Sequence, residues 1–269
     1  MSLKSFVLNC LPDSWVRTIR HVHYLRALRR SYDQQEPDLI VAKALAGSGT
    51  CALDVGANIG VYTKALAEAV GPHGLVMSVE PIPHTFEVLS YCVGKLGLSN
   101  VKAHNCAVSD KSGTMSMFVP QYQKGEGEGF NFYQAKLMVE SAGGASSALQ
   151  SERQYHGIVV RTLDDIVKDV AMPISFMKCD VEGHELPAMI GSRVLLMRWG
   201  PALLIEVAGN PEAPDTSAAK LFAYLKEMGY GVWMFSEGRL RRWRAGDKWL
   251  NYFFLKDTHL TRVAHLMES

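Results

Sequence analysis

Cysteine is scarce in this sequence, five in 269 residues, and no two stand as a C-x-x-C pair. Cys10, Cys51, Cys92, Cys106 and Cys179 are odd in number and widely spaced, which indicates neither a zinc site nor a disulfide framework. They read as small core residues of a reducing compartment. No apolar run approaches the roughly 18 residues that a membrane span needs. Phe6-Val7-Leu8 is too short for a signal-peptide core, so the expected location is the cytoplasm. Charge of one sign is also lacking. Lys+Arg 28 against Asp+Glu 27 leaves +1, and no global field points to nucleic acid or an anionic membrane. What is present is an ordinary globular composition, 48% hydrophobic and 20% charged, which excludes disorder and suffices for a full core.

From Thr50 onward short apolar runs alternate with helical patterns. Cys51–Val55 reads as a buried parallel strand ending in Gly56, followed by an Ala-rich helix over 60–70 that Gly71-Pro72 stops. Leu75–Val79 is the next strand, and Pro83–Leu96 a helix with proline at its start and Gly97 at its end. Strands are expected over 101–108, 174–179 and 202–207, with a helix from about Glu185 between the last two. Asp215 looks like the N-cap of a helix running to Met228, and strands over 230–235 and 249–255 follow, joined by a turn-rich, basic segment. Repeated βα units imply a parallel sheet covered by helices on both faces, here with an antiparallel edge. Two parts fall outside the alternation. One is an N-terminal helical cap over 1–46, preceding the main domain over 47–269. The other is a loop-like excursion over 113–169, long enough to suggest a binding loop.

Asp54-Val55-Gly56-Ala57-Asn58-Ile59-Gly60 joins the first strand to the first helix. Glycines there let the backbone turn tightly and approach a ligand, and the helix N-terminus offers free N–H donors. Glu80 ends the second strand, where a carboxylate can bind both hydroxyls of a ribose. Together they indicate an adenosine-containing ligand. The dinucleotide fingerprint G-x-G-x-x-G is incomplete, with Asn58 between Gly56 and Gly60. This loop suits the amino-acid end of S-adenosylmethionine better than a pyrophosphate, with Asp54 as a partner for its ammonium. A nicotinamide-dependent oxidoreductase and a non-catalytic cofactor-binding docking subunit are the rival readings.

Residues 53–62, then Glu80-Pro81-Ile82-Pro83 with Phe86, resemble the FkbM-type family of S-adenosylmethionine-dependent methyltransferases. The similarity continues through Asn100-Val101, Asn105, Ala107-Val108-Ser109-Asp110, Ser146-Ser147 and Thr162-Leu163-Asp164-Asp165. Its most family-specific block is Lys178-Cys179-Asp180-Val181-Glu182-Gly183-His184-Glu185. The resemblance implies a class I, Rossmann-like methyltransferase with a seven-stranded, mostly parallel α/β sheet and an antiparallel edge strand. It implies O-methylation of a sugar, glycolipid or natural-product hydroxyl. It also implies S-adenosylmethionine held by Asp54, Gly56, Ala57, Asn58, Gly60, Tyr62, Glu80, Pro81, Asn105, Ala107, Val108 and Asp180. The chain departs from the family in the excursion over 121–155 and in its Arg-rich N-terminal helix, and both bear on the acceptor.

Lys178, Asp180, Glu182 and His184 crowd the end of the fourth strand and are the candidate catalytic residues. Methyl transfer to an alcohol needs the acceptor oxygen held in line and a base for its proton. Plainer roles stay open: Glu185 as a first-turn carboxylate, Lys178 as the partner of Asp180. Carboxylates and imidazole can also ligate a divalent ion, but no metal is expected here. Glu206, Ser146 and Ser147 are the candidate acceptor residues. The excursion over 121–155 reads as a lid, mobile at its glycines and anchored by Phe130, Phe132, Tyr133, Leu137 and Met138. Arg17, Arg20, Arg26, Arg29 and Arg30 surround a stripe of Trp15, Ile19, Val22, Leu25 and Leu28. That helix either packs over the pocket with a solvated basic side or touches an anionic acceptor or lipid surface. The arginines around Trp243 read as guards of an exposed edge, and no nucleic-acid partner is expected.

Overall fold

The computed structural model describes residues 12–30, 35–120, 136–138 and 152–268. Cys10, Ser146, Ser147 and most of the expected lid lie outside these residues. In chain order the strands are β1 (Cys51–Val55), β2 (Leu75–Val79), β3 (Val101–His104), β4 (Ala107–Val108), β5 (Gly113–Pro120), β6 (Lys136–Met138), β7 (Glu152–Arg161), β8 (Ile174–Cys179), β9 (Ala202–Glu206), β10 (Gly231–Ser236), β11 (Arg239–Arg242) and β12 (Asn251–Leu255). Eight of them form one sheet in the order β11-β10-β12-β9-β8-β1-β2-β3. The block from β9 to β3 is parallel, and β12 runs antiparallel between β9 and β10.

Both faces are dry at the centre of this sheet, which is why its central strands are continuous apolar runs rather than alternating ones. On β1 the alternation sends Cys51, Leu53 and Val55 to one core, with Ala188, Leu195, Leu221 and Leu225 from the covering helices. Ala52 faces the other core, with Leu39, Leu66, Val70 and Val263. The helix Asp13–Leu28 lies on the helix Pro83–Leu96. Leu25 and Leu28 pack there against Ile59, Val88 and Cys92, and the His21 ring stacks on Tyr91 at 4.6 Å.

The architecture is the expected α/β class, but the sheet has eight strands rather than seven. The additional strand is β11, in the segment read as turn-rich and basic. Glu237 and Gly238 take φ of 53° and 76°, the two left-handed positions of a tight hairpin turn, and Ser236 pairs with Arg239 across it. Arginines suit an edge strand, which charge protects from further pairing. The strand expected over 101–108 breaks at Asn105: β3 stays in the large sheet, while β4 joins a second one, β4-β7-β5-β6. That small sheet occupies much of the excursion read as loop-like. The helix near Asp215 is capped instead by Thr216, whose hydroxyl accepts the Ala219 N–H at 3.1 Å. The single helix expected from Glu185 is two, Glu185–Ile190 and Arg193–Trp199.

From β1 the chain winds outward through β2 and β3, and from β8 it winds the other way through β9. The sheet therefore reverses between β1 and β8, and a crevice opens beyond their carboxyl ends.

Candidate active site

Two loop ends meet at that crevice. After β1 the chain turns at Gly56, φ 74°, where a Cβ would run into the Asp180 carbonyl oxygen. Only glycine allows the two strand ends to come this close. Lys178, buried on β8, bridges them: its Nζ donates to the Gly56 carbonyl at 3.0 Å and to Asp180 Oδ2 at 3.0 Å. Burial works against its charge, but Asp180 and then Asp54 overcome this and hold the ammonium above the usual lysine range. Its Nζ also lies 5.4 Å from the centre of the Tyr62 ring.

Glu80 organises the neighbouring wall. Its Oε2 accepts the Asn58 N–H and its Oε1 the Ile82 N–H, each at 2.9 Å. Asn105 Nδ2 donates to the Glu80 carbonyl at 2.8 Å and to that of Pro81 at 3.1 Å, fixing the same bend from behind. Burial pushes the Glu80 carboxyl up to about 7, against the pull of the two amides. Asp54 is fully buried, which raises its pKa, and Thr63 donates to its Oδ2 at 2.6 Å. Its Oδ1 has no partner among the described residues.

The crevice holds a cavity of about 270 Å³. Its lining includes Gly56, Asn58, Glu80, Pro81, Ala107, Val108 and Asp180 from the expected cofactor set, together with Glu182 and Glu206. Asp54, Ala57, Gly60, Tyr62 and Asn105 are not part of the lining and stand around it. Gly60 packs against Leu89 with φ 101°, and Ala57 N–H bonds the Val79 carbonyl. His184 is also not in the lining. Its Nε2 is 2.9 Å from Ser109 Oγ, and burial lowers its pKa. The turn that separates it from Asp180 runs through Glu182 and Gly183 at φ 53° and 93°. A non-glycine residue held there is strained, as active-site turns often are.

Sequence reading passed over Thr85, Cys106 and Met117, which line the cavity from the helix Pro83–Leu96, the β3–β4 bend and β5. The Thr85 hydroxyl is buried with no partner among the described residues. It also passed over Glu36, whose carboxyl is raised by burial and feels both Lys178 and Asp180. No motif marks these residues, because only the packing of distant elements brings them here.

Asp180, Glu182 and Glu206 each present a carboxylate oxygen within 4.8 Å of the others. Burial, and next the charge of Asp180, push Glu206 up to about 7. A carboxylate with that pKa can take a proton near neutral pH. The three together also offer the oxygen donors a hard divalent cation prefers.

A family model, the methyltransferase FkbM domain, matches residues 54–232. No curated protein matches the chain. Among solved structures it is similar to methyltransferase FkbM from Methylobacillus flagellatus KT, with 19% identity and a TM-score of 0.47 over 78% of this chain and 44% of that one. It thus spans less than half the length of that protein. It is similar also to a SAM-dependent methyltransferase from Aquifex aeolicus, with 14% identity and a TM-score of 0.43 over 86% of this chain and 94% of that one. A third is Aeropyrum pernix fibrillarin, solved with natively bound S-adenosyl-L-methionine, with 11% identity and a TM-score of 0.46 over 81% of this chain and 73% of that one. The family match covers well over half of the sequence, and the chain belongs to the FkbM family of S-adenosylmethionine-dependent methyltransferases.

Proposed function

We propose that this protein methylates a hydroxyl oxygen of a small-molecule or glycan acceptor: a sugar, a glycolipid or a natural product. The cavity suits the family's cofactor. Ile82, Ala107, Val108 and Met117 offer apolar walls for a base, with Thr85 as the polar group among them. Glu80 has carboxylate lone pairs left over for a ribose diol once the two amides are counted. Asp180 supplies an anion for an ammonium. When bound, S-adenosylmethionine supplies a methyl group on an electrophilic sulfonium.

The observation that carries the reading is Glu206, a carboxylate with a pKa of about 7 at the end of β9, beside Asp180 and Glu182. In this proposal a Glu206 carboxylate oxygen accepts the proton of the acceptor hydroxyl as the new bond forms, and Glu182 orients that hydroxyl. Lys178 holds Asp180 and the Gly56 turn in fixed relation. Ser146 and Ser147 remain candidates for the acceptor side. The test is transfer of a labelled methyl group from S-adenosylmethionine into cell extracts. An alkali-stable label in sugars or small molecules supports methyl ether formation. An alkali-labile ester, or label confined to nucleic acid, contradicts it.

A further inference from the structure

Among the described residues, the helix Asp13–Leu28 uses one face to join the fold. Leu25 and Leu28 are buried against Ile59, Val88 and Cys92, and His21 stacks on Tyr91. On one flank Arg17, Thr18 and His21 border a groove shared with Phe86, Glu87 and Ser90 of the neighbouring helix, so Arg17 sits near an acid. The opposite face carries a different set, and it takes Trp15 and Ile19 away from the single stripe with Leu25 and Leu28 that the sequence suggested. Trp15, Ile19, Val22, Arg26 and Arg29 recur at i, i+4, i+7, i+11 and i+14, which places them on one stripe. Trp15 is 63% and Ile19 44% exposed, and Arg26, Arg29 and the adjoining Arg30 are exposed as well. No Asp or Glu occurs from Ser14 to Arg30, although the whole chain carries only +1. The positive charge is therefore local.

We propose that this face docks the protein on an anionic lipid surface. Tryptophan and a branched aliphatic side chain at one end of the stripe can enter the headgroup boundary. The arginines at the other end meet lipid phosphates, which they bind in a planar, forked geometry. A single-stranded nucleic acid favours aromatic faces interleaved with the charges, and here the two kinds of side chain are segregated along the stripe. Ile59, on which the helix rests, belongs to the turn after β1, so the docked helix is joined to the loop whose Gly56 and Asn58 line the cavity. The proposal stands apart from the methyl-transfer reading because its readout is binding alone.

The test is co-sedimentation of the full chain with vesicles of phosphatidylglycerol mixed into phosphatidylcholine, and with vesicles of phosphatidylcholine alone. The protein should partition onto the mixed vesicles, release as salt is raised, and ignore the neutral ones. The triple change R26Q/R29Q/R30Q should lower partitioning by about tenfold or more. W15S/I19S should lower it too, and both variants should melt with the wild type, since the changed side chains face solvent. Equal partitioning onto both vesicle types would overturn the proposal, as would wild-type binding by both variants. Retention on a single-stranded oligonucleotide with no vesicle binding would overturn it in favour of nucleic acid.

Discussion

Glu80 and Glu206 are both carboxyls pushed up to about 7 by burial, yet their surroundings give them different work. Glu80 has two backbone amides on its oxygens and serves as a wall. Glu206 lies among other carboxylates, and its proton affinity is the property that matters. Replacing Glu206→Gln should therefore cut turnover by about 10²–10⁴-fold, the usual contribution of a positioned base. S-adenosylhomocysteine should bind the variant within a few-fold of wild type. In the wild type, turnover should rise with pH through about 7 as Glu206 loses its proton, and level off above. A pH–rate profile on wild type and variant checks this. A variant that keeps both the rate and the rise would remove Glu206 from the chemistry.

At the level of elements, the site is the junction of β1 and β8, and two residues maintain it. Gly56→Ala must force the turn away from the Asp180 carbonyl, so cofactor affinity should fall along with stability. Lys178→Met leaves the Gly56 carbonyl and Asp180 without their shared donor. Breaking a fully buried pair costs about 3–5 kcal/mol, and the partial exposure of Asp180 lowers the expectation to about 2 kcal/mol. Urea unfolding of the two variants measures both effects. This junction was legible in the sequence because it is local: a buried apolar run, a glycine turn and an acid at the next strand end. β11 was not, since arginines at an edge strand look like loop. Nor was the small sheet, since β5 and β7 lie far apart in sequence and share an excursion rich in glycine. His184 stands in the same sequence block as Asp180, whereas the left-handed turn at Glu182 and Gly183 carries it to Ser109. Thr85 and Met117 reach the cavity only through tertiary packing.

For the molecule as a whole, several buried acids resist losing their protons. Asp38 is pushed up to about 6 by burial, and Glu80 and Glu206 to about 7. Each folded value lies above the ordinary one, so the folded state holds these protons more tightly than the unfolded chain. That stability is fully present below the ordinary carboxylate range and is lost as pH rises through about 6 to 7. The ligand-free protein should therefore melt lower at pH 8 than at pH 5.5, and Glu206→Gln should flatten the difference. Thermal melts across this range check the sign. A ligand that binds the folded state alone stabilises it by mass action, by about 2.7 kcal/mol at a hundredfold excess over Kd, and so raises the melting point.

Titration calorimetry with S-adenosylhomocysteine and with NAD tests the central claim most directly, that the crevice between β1 and β8 is a site for S-adenosylmethionine. One equivalent of S-adenosylhomocysteine should bind and NAD should give no heat. Glu80→Ala should weaken the binding by roughly 1.5–3 kcal/mol, the loss of a hydrogen bond to a charged group. Tight NAD binding with no response to S-adenosylhomocysteine would contradict the account, and an unchanged affinity in Glu80→Ala would place the ribose elsewhere.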